Sequence, residues 1–186
     1  MITSQKKKFL DPNLKNKSKT VEEKIQFYKF DGKLLPLPTE IEISESGTCN
    51  RSCSFCPRSA KDFIDVKEFI SIKLHEKLCL ELQELNYSGT VRYSGFVEPL
   101  LDKNIYNLIN MVRKCLPNTN IELVTNGDVL NMKRLKKLFD KGLNKILISA
   151  YDSKEDADKL ESLCVNSNLT EEQYIVRHRY YSEDND

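Results

Sequence analysis

Cys49, Cys53 and Cys56 place three thiols within eight residues, at C-x3-C-x2-C spacing in the run CNRSCSFCPR. Thiolates this close can converge on one small object, and three objects compete: a disulfide framework, a zinc ion and an iron-sulfur cluster. Disulfides fit least, because six cysteines scattered through a chain with no secretory signal belong to a reducing compartment. Structural zinc takes four ligands, commonly as two close pairs. No second pair exists here, and the two histidines, His75 and His178, lack the local spacing of a fourth ligand. A zinc-stabilised interaction domain therefore stands as one alternative. A four-iron cage held by three thiolates leaves one iron without a protein ligand, where a small molecule can be gripped through an amine and a carboxylate, as catalytic metal sites keep a position open. A cluster of low potential, within the span of roughly −700 to +450 mV open to such centres, can then break a bond in that molecule.

The other polar residues with chemical use come in short groups. Gly95 and Glu98 fall in SGFVEPL, Asn126 in Thr125-Asn126-Gly127, and Ser149 in Ser149-Ala150-Tyr151-Asp152. Arg177 and Arg179 flank His178. Each group follows a segment that reads as a strand: Ile41 to Ile43 before the cysteine loop, then Thr90 to Tyr93, Ile121 to Val124, Lys145 to Ile148 and Tyr174 to Val176. Between them lie helical patterns. Ser71 can cap one with Leu74, Leu78, Leu82 and Leu85 on a face. Ile105, Leu108, Ile109, Val112 and Leu116 make a second, stopped by Pro117. Leu135, Leu138 and Phe139 make a third, closed by Gly142, and Ala157, Leu160 and Leu163 a fourth. His75 sits on an otherwise charged helix side, where solvent or packing explains it; Cys79, Cys115 and Cys164 fall on apolar helix faces, as core cysteines do.

Strands alternating with helices predict an α/β fold with a parallel sheet and right-handed crossovers. Eight-unit closed barrels take about 250 residues. At 186 residues, five units predict an open partial barrel or a doubly wound sheet, which periodicity alone does not separate. In either, ligands bind at the carboxyl ends of the strands, where all the groups above fall.

Composition bounds the rest. Hydrophobic residues are 39% and charged residues 31%, with eight Phe and eight Tyr, which excludes wholesale disorder. Apolar stretches are a handful of residues long, as around Ile146-Leu147-Ile148, against roughly 20 for a membrane span. The start, MITSQKKKFLDPNLK, has no apolar run behind its lysines, so the expected location is cytoplasmic. The net charge of +1 provides no general field for nucleic acid. Residues 1–19 carry six Lys against one Asp, a basic arm best read as a solvated terminus. Thr20-Val21-Glu22-Glu23 fits a capping box, and Asp31-Gly32 a tight turn before the extended Leu35-Pro36-Leu37-Pro38. The expected organisation is a lead-in over 1–39, a barrel-like domain over 40–181 and an acidic tail over 182–186.

The cysteine run, with Phe55 immediately before Cys56, resembles the cluster motif of the radical S-adenosylmethionine (radical SAM) superfamily. The resemblance implies that Cys49, Cys53 and Cys56 bind a 4Fe-4S cluster, that S-adenosylmethionine chelates the fourth iron, and that Phe55 packs near its adenine. Gly95 to Glu98 is similar to the family's Gly-Gly-Glu segment, which receives the methionine amino group, although Phe96 stands at the second Gly position. Asn126 and Ser149 match strand ends that meet the ribose and carboxylate, and Arg177 or Arg179 is placed to pair with the carboxylate. The implied activity is reductive cleavage of S-adenosylmethionine to a 5′-deoxyadenosyl radical that abstracts hydrogen from a substrate, fed by an electron donor such as flavodoxin or ferredoxin. The family barrel has six units and this chain supplies five. Its style is similar to members with a SPASM-type extension, which points to a peptide or protein substrate, yet no cysteine follows Cys164. A truncated or partner-dependent cluster-binding module is thus a further alternative.

Overall fold

The computed structural model describes residues 26–180. The basic arm, the capping box at Thr20 and the acidic tail lie outside the described residues. A short antiparallel hairpin comes first, β1 (Phe27–Phe30) and β2 (Lys33–Pro36). Asp31 and Gly32 turn it with φ of 47° and 73°, the left-handed pair that a two-residue hairpin requires. The hairpin stays outside the core, clipped to it where Ser88 donates its N–H to Gln26 Oε1 at 2.9 Å and accepts from Gln26 Nε2 at 2.7 Å.

The main sheet holds β3 (Glu40–Ile43), β4 (Thr90–Tyr93), β5 (Asn120–Thr125), β6 (Lys145–Ala150) and β7 (Tyr174–His178), all parallel. Four helices make the crossovers: α1 (Ile72–Glu84), α2 (Ile105–Cys115), α3 (Met132–Asp140) and α4 (Lys154–Asn166). The spatial order β3-β4-β5-β6-β7 is the chain order. A doubly wound sheet reverses direction partway, so an unreversed order answers what periodicity left open: this is an open, singly wound sheet of the partial-barrel kind. Ser71, Asn131 and Ser153 each accept a backbone N–H in the first turn of α1, α3 and α4, caps worth about 1 kcal/mol apiece.

Strand alternation divides the sheet into two unlike faces. Ile43, Val91, Tyr93, Ile121, Leu123, Ile146, Ile148 and Ala150 join the helices in one apolar core. The alternate positions are polar towards the amino ends of the strands. There Arg92, 1% exposed, donates to Glu122 Oε2 at 2.6 and 3.1 Å and to Glu40 Oε1 at 2.6 Å, and Asn120 Nδ2 reaches Glu122 Oε1 at 2.8 Å.

The helix faces follow expectation with one correction. In α1 the buried stripe is His75, Cys79 and Leu82, while Leu74 is 57% exposed. The stripe turns because β4 offers His75 a partner: its Nε2 lies 2.8 Å from the Tyr93 hydroxyl. A buried imidazole with a hydrogen bond is tolerated, and burial pushes its pKa down to about 4. His75 is thus a packed core group.

The buried Arg92 cluster makes a stability prediction. Glu122→Leu leaves the buried guanidinium with Glu40 as its one carboxylate partner of the two and is expected to lower the unfolding free energy by about 3 kcal/mol. Arg92→Met combined with Glu122→Leu should recover most of that loss, and denaturant titration of the three proteins decides it.

Candidate active site at the carboxyl ends of the strands

The loop after β3 carries the three cysteines, all free thiols. It is fastened at several points. Gly47 donates its N–H to the Glu68 carbonyl at 3.0 Å, and a Cβ at Gly47 would come within 2.0 Å of the Val66 carbonyl oxygen, so only glycine lets these segments approach. Arg58 bonds the carbonyls of Gly47 and Phe96 and pairs with Asp65. Arg51, between the first two cysteines, reaches across the sheet edge. Its Nε bonds Asp128 at 2.7 Å, and its two terminal nitrogens bond both oxygens of Asp152 at 2.7 Å. Asn50 adds a bond to Asp128 at 2.7 Å. Arg51 also lies 5.5 Å from the Tyr151 ring centre, and the Phe55 ring sits 5.6 Å from the same ring.

Glu98 ties the neighbouring strand ends to this loop. Its backbone N–H donates to the Thr48 carbonyl at 2.9 Å. Its carboxylate is 1% exposed and accepts from the Thr125 hydroxyl at 2.6 Å, from Leu100 N–H at 3.1 Å and from Asn126 N–H at 2.7 Å. Burial raises its pKa and these donors pull it back. Two of the bonds fall on Oε1 and one on Oε2, which leaves Oε2 one further acceptor position.

Gly95 precedes it with φ of 129°. A Cβ there would come within 2.2 Å of Ser44 Oγ, which donates to the Ser94 carbonyl at 2.9 Å. Both the left-handed backbone and the packing require glycine.

One cleft of about 530 Å³, open to solvent, gathers Cys49, Cys53, Cys56, Phe55, Gly95, Glu98, Asn126 and Ser149. Ser149 Oγ, beside the Tyr151 hydroxyl, is buried and meets no group in full hydrogen-bond geometry. Burial raises the Cys53 thiol pKa and Arg51 opposes the shift. Arg177 is not among the lining residues; it stands in β7 abreast of Ser149, and the Arg179 N–H bonds the Ala150 carbonyl at 2.8 Å. Neither histidine lines the cleft: His178 Nδ1 pairs with the Tyr180 hydroxyl at 2.8 Å. Among the described residues no three His, Cys, Asp or Glu side chains converge as ligands of a single ion would. A cage of four irons takes each thiolate at a separate iron, so its ligands need only surround it.

The donor set suits a cluster with a small amphiphilic ligand. Three thiols share a wall with a buried hydroxyl, a buried carboxylate with one acceptor position and a glycine whose backbone lies bare. Sequence reasoning missed the straps, Arg51 with Asp128 and Asp152, and Arg58 with Asp65. The sequence holds a cation inside the cysteine run and an Asp just past each of two strands, with nothing local to pair them.

Glu45, at the root of the loop, is fully buried with neither carboxylate oxygen partnered. Burial, reinforced by Asp102 and Glu98, raises its pKa to about 8. The unfolded chain releases this proton near the ordinary value of 4.5, so between pH 4.5 and about 8 the native state holds a proton that the unfolded state does not. Stability from this group is complete below pH 4.5 and falls as pH rises to about 8. Glu45→Gln should therefore gain melting temperature over the parent at pH 8 and little at pH 4.5; an equal difference at both values would contradict the assignment.

The family model for the radical SAM superfamily matches residues 43–176. The S-adenosyl-L-methionine-dependent 2-deoxy-scyllo-inosamine dehydrogenase of Niallia circulans is 31% identical over 111 residues, 60% of this chain and 44% of that protein. The GTP 3′,8-cyclase of Aquifex aeolicus is 30% identical over 136 residues, 68% of this chain and 39% of that one. The chain thus spans under half the length of these curated relatives. Among solved structures, BtrN in complex with AdoMet and 2-DOIA superposes with a TM-score of 0.66 at 26% identity, covering 75% of this chain and 56% of that one. Histidine-tagged anSMEcpe with bound AdoMet gives 0.57 at 16% identity over 74% and 42%, a likeness of fold.

Proposed function

The chain belongs to the radical SAM superfamily, whose cofactors are a 4Fe-4S cluster and S-adenosylmethionine, and from that premise we propose that its strand-end cleft cleaves S-adenosylmethionine to abstract hydrogen from an organic substrate. When bound, the cofactor pair supplies one-electron cleavage of the sulfonium carbon–sulfur bond, giving methionine and a 5′-deoxyadenosyl radical. The observation that carries the reading is the sharing of one cleft wall by three free thiols, Gly95, Glu98, Asn126 and Ser149.

In this reading Cys49, Cys53 and Cys56 hold the cluster as thiolates. Glu98 Oε2 accepts one N–H of the methionine amino group, and the bare backbone at Gly95 lets that group approach. Ser149 Oγ, buried beside the Tyr151 hydroxyl, takes a polar atom of the nucleoside or carboxylate. Phe55, exposed and tilted 34° to the Tyr151 ring, covers the adenine, and Arg177 serves the carboxylate from the adjoining strand. The substrate enters past Phe55 and Phe96, 68% and 58% exposed at the cleft. A reductase partner such as flavodoxin or ferredoxin supplies the electron.

The likeness to the inosamine dehydrogenase supports oxidation at a carbon bearing a hydroxyl as the reaction to try first, ahead of a peptide or protein substrate. Anaerobic reconstitution should load about four irons with matching sulfide per chain, and adding a strong reductant with S-adenosylmethionine should release 5′-deoxyadenosine. Cys53→Ala should lose both the visible absorbance and at least 100-fold of the nucleoside release. A fully loaded chain releasing none, or a Cys53 variant releasing as much as the parent, would refute the assignment.

A further inference from the structure

We propose that Asn126 tunes the electron affinity of the metal centre by donating a hydrogen bond to the Cys49 sulfur; the proposal rests on reading Cys49 as a cluster ligand. Cys49 Sγ is met by two N–H donors, the backbone of Arg51 at 3.4 Å and Asn126 Nδ2 at 3.9 Å. Among the described residues neither Cys53 Sγ nor Cys56 Sγ is met by a donor, so the three sulfurs are unequal.

The direction of the Asn126 amide follows from its other partners. Oδ1 accepts the Asp128 N–H at 3.0 Å, which only the oxygen end can do. The NH2 end must then face the cysteine loop, where it also donates to Asn50 Oδ1 at 2.8 Å. Asn126 is 8% exposed, and its own N–H is held by Glu98 at 2.7 Å. The receiving side is held as firmly, since Asn50 and Arg51 both bond Asp128. The amide and the sulfur are thus fixed from opposite sides by the same short segment, Asn126 to Asp128.

A contact of 3.9 Å to a neutral thiol is weak. On a thiolate it becomes charge-assisted, and it strengthens as negative charge on the sulfur grows. The one-electron-reduced cluster carries more negative charge than the oxidised one, so an N–H donor to its sulfur favours reduction, one of the levers that set iron-sulfur potentials. In this account the amide serves the sulfur and leaves the nucleoside to Ser149. Asn126 acts through Cys49, which makes it a positioning residue.

The test is a potentiometric titration of the reconstituted full chain, followed by the electron paramagnetic resonance signal of the reduced cluster. Asn126→Ala removes the donor. Asn126→Asp keeps the acceptor for the Asp128 N–H and removes the amide hydrogens. Both should lower the midpoint, so that at the parent's midpoint the reduced-to-oxidised ratio falls by up to about tenfold, equivalent to about 59 mV for a one-electron couple. Unchanged midpoints in both variants at parental iron and sulfide content would overturn the proposal and leave the cluster assignment standing. Loss of the cluster from both would make Asn126 an assembly residue and also overturn it. A parent chain that takes up no cluster would remove the reading on which the proposal rests.

Discussion

The site depends on one buried carboxylate. Glu98 has water excluded from it, and the cost of burying its charge is met only if donors surround it. Those donors come from three places: the backbone at Leu100, the Thr125 hydroxyl and the Asn126 backbone at the end of β5. Its own N–H holds Thr48, immediately before Cys49. A single residue therefore sets the distance between the first thiol and the end of the third strand of the sheet. Because buried polar groups tolerate no loose partner, these loops lock together or the carboxylate is left stranded.

The second constraint is electrostatic and lies closer to solvent. Arg51 bridges two aspartates that follow different strands, Asp128 after β5 and Asp152 after β6. Its guanidinium presents a planar fork suited to two carboxylates at once. Asp152 is held ionised by it, its pKa lowered by the Arg51 bond. The cysteine loop is long and carries no strand or α-helix between Ile43 and Ile72, so without such straps its conformational entropy would blur the thiol positions. Arg58 does the same on the other flank, beneath the Phe63 ring.

The sheet was legible in the sequence because its signals are local. Alternation at Ile41-Glu42-Ile43, the cap at Ser71 and the break at Gly142 each act within a few residues. The order of the strands was not, since periodicity reports which segments are strands and says nothing of whether the winding reverses. The turn of α1 onto His75 was missed for a related reason. The charged residues around His75 hid its face, and its partner Tyr93 is 18 residues away. The site was legible as a set of types at strand ends, and the geometry brings most of that set to one cleft. The straps were not legible, because nothing local links Arg51 to an aspartate 77 or 101 residues later.

The two faces of the sheet divide the work of stability and chemistry. The helix-side face is continuous apolar packing from Ile43 to Ala150. The opposite face changes character along the strands, from the Arg92 ion cluster at the amino ends to the cleft at the carboxyl ends, through Val124 and Ser149. A polar interior is a poor source of stability compared with packed hydrophobes, so this face contributes order more than free energy. Its charges are paired near the amino ends and left with open valences at the rim, at Ser149 Oγ and Glu98 Oε2. That gradient from satisfied to unsatisfied polar groups makes the rim the place where a ligand gains most by supplying what the protein withholds.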